Sequence, residues 1–490
     1  MLRKIRTILA AVFFVLITLL FLDFTGTLHH WLSWMAKIQF LPAVMALNLV
    51  VVIALVLLTL IFGRIYCSVI CPLGVFQDIL ARLRRKKNKY SYSKEVRWLR
   101  YPMLVVFIVA GVAGIGSLFQ LLAPYSSYGR IATMLFQPLW KMGNNLLAVL
   151  AERADSYAFY TVDTWMRSLP VFIIAAITLV VLVILAWRGG RTYCNTICPV
   201  GTILSFFARF SWFKIHFDTD KCKNCSLCSK NCKAACIDFK THTVDYSRCV
   251  VCGNCIDSCK FGALHYSRPS RNTCSSSSSP IDTSKRSFLL ASALVSTAAL
   301  AQKKEKLMDG GLAELEDKVA PERQTPLTPP GSLSFQNLST RCTGCQLCVS
   351  ECPNQVLRPS SDLMHLMQPT MSYEHGYCRP ECNRCSQVCP AGAIKPVDKD
   401  EKTSIQIGHA VWIKKNCVPI TDGVECGNCA RHCPSGANEM VPLDESNEES
   451  PMVPAINEAA CIGCGACEYV CPSRPFSAIY VEGHEVHRKI

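Results

Sequence analysis

The sequence predicts a membrane α-helical bundle of four spans with a two-fold internal repeat, joined to small cysteine-rich α+β domains. Three observations predict it. Four long apolar segments are confined to the first two hundred residues, a twelve-residue motif recurs at the ends of two of them, and 24 of the 30 cysteines form six groups of four further along the chain.

The apolar segments cover roughly residues 8–24, 40–62, 98–123 and 170–187. Each approaches or exceeds the twenty or so residues needed to cross a hydrocarbon core of about 30 Å. Basic residues orient them: Arg3, Lys4 and Arg6 precede the first segment. Arg64, Arg82, Arg84, Arg85, Lys86, Lys87, Lys89, Lys94 and Arg97 separate the second from the third. Both regions are expected on the cytoplasmic side. The loops holding Lys37 and residues 130–167 are sparse and mixed in charge, so they face the other side. Topology and anionic lipid thus account for much of the net charge of +15, and nucleic acid is not an expected partner.

The repeat reads GRIYCSVICPLG over residues 63–74 and GRTYCNTICPVG over residues 190–201. Two copies of GRxYCxxICPxG, each after a span that runs inward, imply a duplicated two-helix unit about an axis along the membrane normal. Cys67, Cys71, Cys194 and Cys198 are expected to converge at the cytoplasmic end of the bundle. Pro72 and Pro199 suit a first helical turn and bias the preceding cysteine toward an extended backbone. Three readings stay open for these thiols: an extra iron or small cluster site, dithiols that cycle with disulfides, or simple packing. No histidine lies within the four apolar segments, which argues against a haem held between two spans, while His29 and His30 fall in the first outward loop.

The six groups are Cys222, Cys225, Cys228 and Cys232; Cys249, Cys252, Cys255 and Cys259; Cys342, Cys345, Cys348 and Cys352; Cys378, Cys382, Cys385 and Cys389; Cys417, Cys426, Cys429 and Cys433; and Cys461, Cys464, Cys467 and Cys471. The run CxxCxxCxxxC is that of the α+β bacterial-type ferredoxins. Three thiolates two residues apart wrap one iron-sulfur cube, and the fourth is carried to the neighbouring cube, so the motifs work in pairs. Six metal sites of this kind mean six 4Fe-4S clusters and electron transfer. A zinc ribbon instead pairs two CxxC knuckles across a longer spacer and has no use for the third cysteine. The fourth and fifth groups are looser, because Cys378 stands four residues before Cys382 and Cys417 nine before Cys426. Cys236 follows a complete motif and is a substitute ligand for Cys232, whereas Cys274 falls in a serine-rich stretch.

Domain limits follow. Residues 1–215 form the transmembrane domain, 216–268 a cytoplasmic two-cluster ferredoxin domain, and 269–283 a Ser-rich linker. Residues 284–301 read SKRSFLLASALVSTAALA, a basic pair, a short apolar run and an Ala-x-Ala ending. That is the layout of an export signal or of a fifth membrane segment, with Lys285 where a twin-arginine signal has its first arginine. Export after folding would keep sixteen thiols from pairing as disulfides. Residues 302–334 read as a linker and 335–490 as a four-cluster ferredoxin domain, expected outside the cytoplasm.

With those residues in place, the chain up to about 268 resembles the NapH-type membrane ferredoxins that accompany periplasmic nitrate reductase. From about 284 onward it resembles their NapG-type four-cluster partners. The resemblance implies quinol as substrate, the membrane and its quinone pool as partners, and a periplasmic redox enzyme or cytochrome as electron acceptor, in a multi-pass protein of the bacterial inner membrane. It also implies that the outer two of the four C-terminal groups pair with each other, as do the middle two. The same membrane module occurs in proteins of copper-enzyme maturation, so a redox maturation or reactivation factor for an exported metalloenzyme is the alternative.

Overall fold

The apolar segments fold as helices, and where the chain carries a helix-breaking residue the helix breaks. The computed structural model describes residues 2–84, 90–156, 158–268, 318–444, 446 and 450–490. The Ser-rich stretch and the export-signal-like segment 284–301 lie outside the described residues, as does Cys274. Helices α1 (Leu2–Leu22), α2 (Thr27–Lys37), α3 (Phe40–Met45) and α4 (Leu49–Phe62) are followed by α5 (Tyr66–Val69) and α6 (Pro72–Leu83). The second half runs through α7 (Arg97–Val112), α8 (Gly116–Leu122), α9 (Pro124–Ile131), a π-helical turn at Ala132–Phe136 and α10 (Gln137–Glu152). It ends with α11 (Leu169–Gly189), α12 (Thr192–Thr196) and α13 (Pro199–Ala208).

Two helices are long and apolar enough to cross a membrane, by length and composition: α1 and α11, of 21 residues each. At 1.5 Å per residue each reaches about 30 Å. The other two expected spans are each divided. Residues 40–62 become α3 and α4, separated at Leu47 in the left-handed region (φ 54) and at Asn48, whose side chain accepts from Val51 N and starts α4 afresh. Residues 98–123 become α7 and α8 across Gly114 (φ 72).

The duplicated motif folds twice in the same way. Each copy leaves its apolar helix at a left-handed glycine, Gly63 (φ 77) or Gly190 (φ 68), and forms a one-turn helix carrying the first cysteine. The second cysteine then sits as an extended N-cap, with φ/ψ of −72°/115° at Cys71 and −65°/116° at Cys198. Proline opens the next helix, where its missing N–H costs nothing. The copies interlock, because α6 packs on α11 and α13 packs on α4.

Strands β1 (Lys214–Phe217) and β4 (Leu264–Ser267) pair antiparallel, with β2 (Ile237–Asp238) paired to β3 (Thr243–Val244) between them. They enclose the first two cysteine groups, and this unit sits at the basic end of the bundle. Arg3 pairs with Asp257 at 3.3 Å, Arg64 donates to Ser247 O and Tyr266 donates to Phe62 O. The second cysteine-rich unit holds the pairs β5 (Leu357–Pro359) with β6 (Pro369–Met371), β7 (Ile405–Trp412) with β10 (Ile479–Lys489), and β8 (Asn438–Pro442) with β9 (Met452–Ile456). It docks on the other end of the bundle, against the end of α1 and against α2, α8, α9 and α10. Gln120 donates to Cys342 O at 3.2 Å, Ser126 to Thr343 O, and Gln137 to both Phe21 O and Ser350 O. Phe21, Tyr125, Tyr128, Leu347 and Val349 belong to one continuous apolar core.

Two expectations are corrected here. Residues 318–334 are not a free linker. Four prolines hold them extended along β10, where Gln324 N and Thr325 N donate to Glu482, Arg323 Nε donates to Val481 O, and Leu327 is buried. Nor do the C-terminal cysteine groups pair outer with outer and middle with middle. Helix Leu347–Glu351 packs on helix Arg384–Val388, and helix Asn428–Arg431 packs on helix Ala466–Val470. Groups adjacent in sequence therefore pair, because a short connection lets each motif helix fold back on the next.

Two outcomes follow from this packing. A Cβ placed on Gly129 would stand 2.2 Å from the carbonyl oxygen of Cys345, so Gly129→Val should push the two bodies apart. A loss of about 1–3 kcal/mol is expected, with faster amide exchange over residues 342–352 as the check. Because Cys389 faces the third group and not the fourth, Cys389→Ser should perturb the cluster held by Cys342, Cys345 and Cys348. Perturbation of the cluster held by Cys382 and Cys385 instead, seen by EPR, would contradict the pairing.

Candidate metal centres

Four of the six motifs share one backbone device. In each, the residue just before the second cysteine and the residue just after it are left-handed: Asn224 and Ser226, Val251 and Gly253, Gly344 and Gln346, Gly463 and Gly465, with φ between 50° and 77°. Such turns point successive N–H groups inward and make a concave cradle suited to anions. Gly344 N lies 3.4 Å from Cys342 Sγ, and similar donors reach the closing cysteines, with Ala263 N on Cys259, Ile394 N on Cys389 and Ala478 N on Cys471.

The thiols gather three from one motif and one from its partner. Cys222, Cys225 and Cys228 line a void with Cys259. Cys342, Cys345 and Cys348 line one with Cys389, and Cys378, Cys382 and Cys385 one with Cys352. The three voids are similar in size. Similar voids with four convergent sulfurs fit one repeated group, the 4Fe-4S cube. The remaining sets are Cys249, Cys252 and Cys255 with Cys232; Cys461, Cys464 and Cys467 with Cys433; and Cys417, Cys426 and Cys429 with Cys471.

The two irregular groups lack the left-handed pair: the residue after Cys382 is Asn383 at φ −120°, and that after Cys426 is Gly427 at φ −149°. Other contacts hold their distant first cysteines. Cys378 N donates to Cys464 O at 2.9 Å, and buried Lys402 donates to Cys382 O. Burial pushes the Cys378 thiol up, while the Lys402 ammonium beside it acts in the opposite sense. Cys236, read as a substitute ligand, lies 3.5 Å from Cys232. The hydrogen bond from Cys236 draws the Cys232 thiol down, against the burial that acts in the opposite sense.

The four cysteines of the duplicated motif are buried and converge toward the basic end. Arg64 Nη2 lies 3.8 Å from Cys67 Sγ and 3.3 Å from Cys194 O, and Gln77 reaches Cys194 Sγ at 3.4 Å. They form no disulfide, and Cys71 and Cys198 lie where α6 and α13 begin.

At the opposite end the structure assembles two features that sequence reasoning missed. His29, expected in a loop, is on α2 and buried between two carboxylates, Asp23 at 3.5 Å and Glu351 at 2.5 Å. Burial works against its charge, yet these carboxylates outweigh burial and raise it. His30 is exposed. Beside this triad lies a cavity of about 560 Å³ between the π-helical turn, α10 and α11. Met134, Phe136, Leu139, Met142, Phe172 and Leu179 form its apolar wall, and Gln137, Lys141, Asp163, Trp165, Arg167 and Gln355 supply its polar groups. Arg167 donates to Val349 O at 2.5 Å, and Trp165 donates to Gln355 and stacks on His375. The polar residues come from the irregular stretch before α11 and from a different domain, so no periodic signal marks them.

Comparison with known proteins places these features. A 4Fe-4S binding domain model matches residues 44–90 and 169–219, which hold both copies of the duplicated motif, and a second such model matches residues 242–265. A 4Fe-4S dicluster domain model matches residues 341–393 and 424–474, the two pairs formed by neighbouring groups. An uncharacterised protein of Methanocaldococcus jannaschii is 25% identical over 281 residues, 56% of this chain and 89% of that protein. The ferredoxin-type protein NapH of Escherichia coli is 27% identical over 227 residues, 45% of this chain and 67% of that protein. The methylamine utilization ferredoxin-type protein MauM of Methylobacillus flagellatus is 31% identical over 166 residues, 33% of this chain and 70% of that protein. No solved structure matches. With its paired thiol sets and these relatives, the chain belongs to the ferredoxin-type 4Fe-4S electron-transfer proteins.

Proposed function

We propose that the chain is a membrane-embedded relay that takes electrons from quinol at the cavity beside the third cysteine group and passes them through the C-terminal clusters to a periplasmic redox enzyme. The observation that carries this reading is the position of the cavity. Its apolar wall opens on the bundle surface, where an isoprenoid tail would lie. Its polar end abuts the segment that supplies Cys348 and Cys352, through Arg167 on Val349 O and through Gln355. A mostly apolar pocket with a few convergent polar groups is the usual form of a small-molecule site.

Oxidation of a quinol releases two electrons and two protons. Clusters held by the paired thiol sets would take up the electrons singly, and the protons leave through the polar mouth of the cavity. Lys141 is suited to the first proton, because burial, first, and the nearby Arg167 pull its ammonium down to about 8. A neutral amine accepts a proton from the quinol hydroxyl and a protonated one does not, so the rate should rise as pH climbs through about 8.

The arrangement of the bundle between two cluster-bearing units supports a path that runs across the membrane, with the first unit on the cytoplasmic side and the second outside. The name of one relative, a methylamine utilization ferredoxin-type protein, supports a redox enzyme as the acceptor.

The test is anaerobic reduction of the purified chain by a short-chain quinol, followed by bleaching of the cluster absorbance. Leu179→Trp, which fills the cavity from α11, should slow reduction at least about tenfold, a change in barrier of about 1.4 kcal/mol or more. Iron content and reduction by dithionite should stay unchanged. Equal quinol rates in variant and parent would remove the cavity from the reading. Lys141→Met should abolish the rise in rate around pH 8, and an unaltered pH profile would exclude Lys141 as the acceptor.

A further inference from the structure

We propose that Asp23, His29 and Glu351 hold one divalent first-row metal ion of the zinc class, which clamps the second cysteine-rich unit to the end of the bundle. The site is separate from the cysteine sets and uses no sulfur.

The first support is convergence of elements far apart in sequence. Asp23 follows α1, His29 is on α2, and Glu351 ends the helix Leu347–Glu351 of the second unit. One ligand atom from each lies within 4.8 Å of the other two. All three side chains are buried, at most 6% exposed.

The second support is the state of the donor atoms. Both ring nitrogens of His29 and Oε1 of Glu351 are buried without a hydrogen-bond partner. His29 Nδ1 stands 2.5 Å from Glu351 Oε1 and 3.5 Å from Asp23 Oδ2, yet neither approach has the angles of a hydrogen bond. Donor atoms that crowd together without bonding one another are satisfied by an ion that takes a lone pair from each. Ligand atoms at about 2.0–2.1 Å from a tetrahedral ion stand about 3.3 Å apart, so Asp23 is already in place and Glu351 Oε1 has to draw back by less than about 1 Å. Asp23 is held in its position by the backbone around it. Its Oδ1 accepts from Thr25 N, Thr25 Oγ1 and Gly26 N, and its Oδ2 from Leu28 N at 2.8 Å, which leaves Oδ2 a second lone pair. Ligating carboxylates are usually oriented by hydrogen bonds of this kind.

The third support is charge. Among the described residues, His29 is the one charged partner within 4 Å of either carboxylate. Arg384, whose guanidinium lies against Gly26, pairs with neither. Buried Asp78, by contrast, has three cations around it. Buried charge persists only when it is compensated. Two carboxylates and one imidazolium leave a net negative charge, whereas a divalent ion with a neutral imidazole balances both carboxylates. The ligand set also selects the ion: imidazole suits zinc and its neighbours, while magnesium and calcium take oxygen ligands.

The position gives such an ion its use. Glu351 immediately precedes Cys352, the closing cysteine of the fourth thiol set, and the carbonyls of Val349 and Ser350 accept from Arg167 and Gln137 of the bundle. An ion on Glu351 therefore fixes by charge the same helix that these side chains fix by hydrogen bonds. Binding changes no oxidation state and makes or breaks no covalent bond in the chain.

The experiment uses the full chain purified without oxygen, stripped of loosely bound metal by a chelator under conditions that keep its iron and cluster absorbance, and then given zinc chloride. Parent, His29→Gln and Glu351→Gln are compared by zinc count, zinc-edge X-ray absorption and amide exchange. The parent should take up one zinc in a shell of nitrogen and oxygen at about 2.0–2.1 Å, with slower exchange over residues 347–352. Each variant should bind zinc at least about tenfold more weakly, at unchanged iron content. If the variants do not accumulate, the count and the shell of the parent decide alone. A shell of sulfur at about 2.3 Å would put the zinc in a thiol set and overturn the proposal. A parent that takes up no zinc, or equal binding by parent and variants, would overturn it as well.

Discussion

Arg64 and Arg191 each leave their own copy of the repeat and hydrogen-bond the carbonyl of the first cysteine in the other copy. Both are fully buried, and both also touch the first ferredoxin unit, Arg64 through Ser247 O and Arg191 through its backbone N–H on Lys233 O. One pair of side chains therefore ties three things together: the two halves of the bundle and the cysteine-rich unit at its basic end. Asp78 completes the tie by pairing with Arg6, Arg191 and Lys233, which stand on α1, beside α12 and in the first unit. Removing Asp78 would leave three cations buried without a counter-charge, a loss of about 3–5 kcal/mol by the usual cost of breaking a buried pair. Buried ion pairs add little to stability against an apolar alternative, so their use here is better understood as fixing the register of the copies.

What the sequence disclosed was the chemistry that acts over a few residues. The CxxCxxCxxxC spacing and the Cys-Pro turn are local, and the two Cys-Pro turns take the same conformation. The extended N-cap conformation of Cys71 and Cys198 follows from the proline after it, whatever the tertiary fold. Helix breaks at Asn48 and Gly114 were also written in residue types, but inside apolar runs their weight against continuity is hard to judge from composition alone.

What the sequence withheld depends on which surfaces meet. Four motifs of one kind can pair in three ways, and only the packing of helix Leu347–Glu351 on Arg384–Val388 selects among them. Residues 318–334 looked like a linker because prolines prevent a helix, yet the same prolines keep the segment straight enough to run beside β10. The second carboxylate beside His29 was not visible, because Glu351 lies more than three hundred residues away in sequence. The cavity lining was hidden for the same reason, since Gln355 reaches it from another domain.

The left-handed turns that build the thiol cradles also explain how the second unit is held. Turning successive N–H groups inward toward sulfur turns the neighbouring carbonyls outward, where they need donors. At the face toward the bundle, Gln120, Ser126, Arg167 and Gln137 supply them to Cys342 O, Thr343 O, Val349 O and Ser350 O. A buried carbonyl left without a donor costs about 1–3 kcal/mol, so a set of four binds this loop in one orientation. The same geometry brings the third cysteine group closest to the bundle, with Gly129 against Cys345 O and no side chain between them. Cradle and dock are thus one backbone feature with two faces: the handedness that suits a cluster presents the acceptors that fix where that cluster sits.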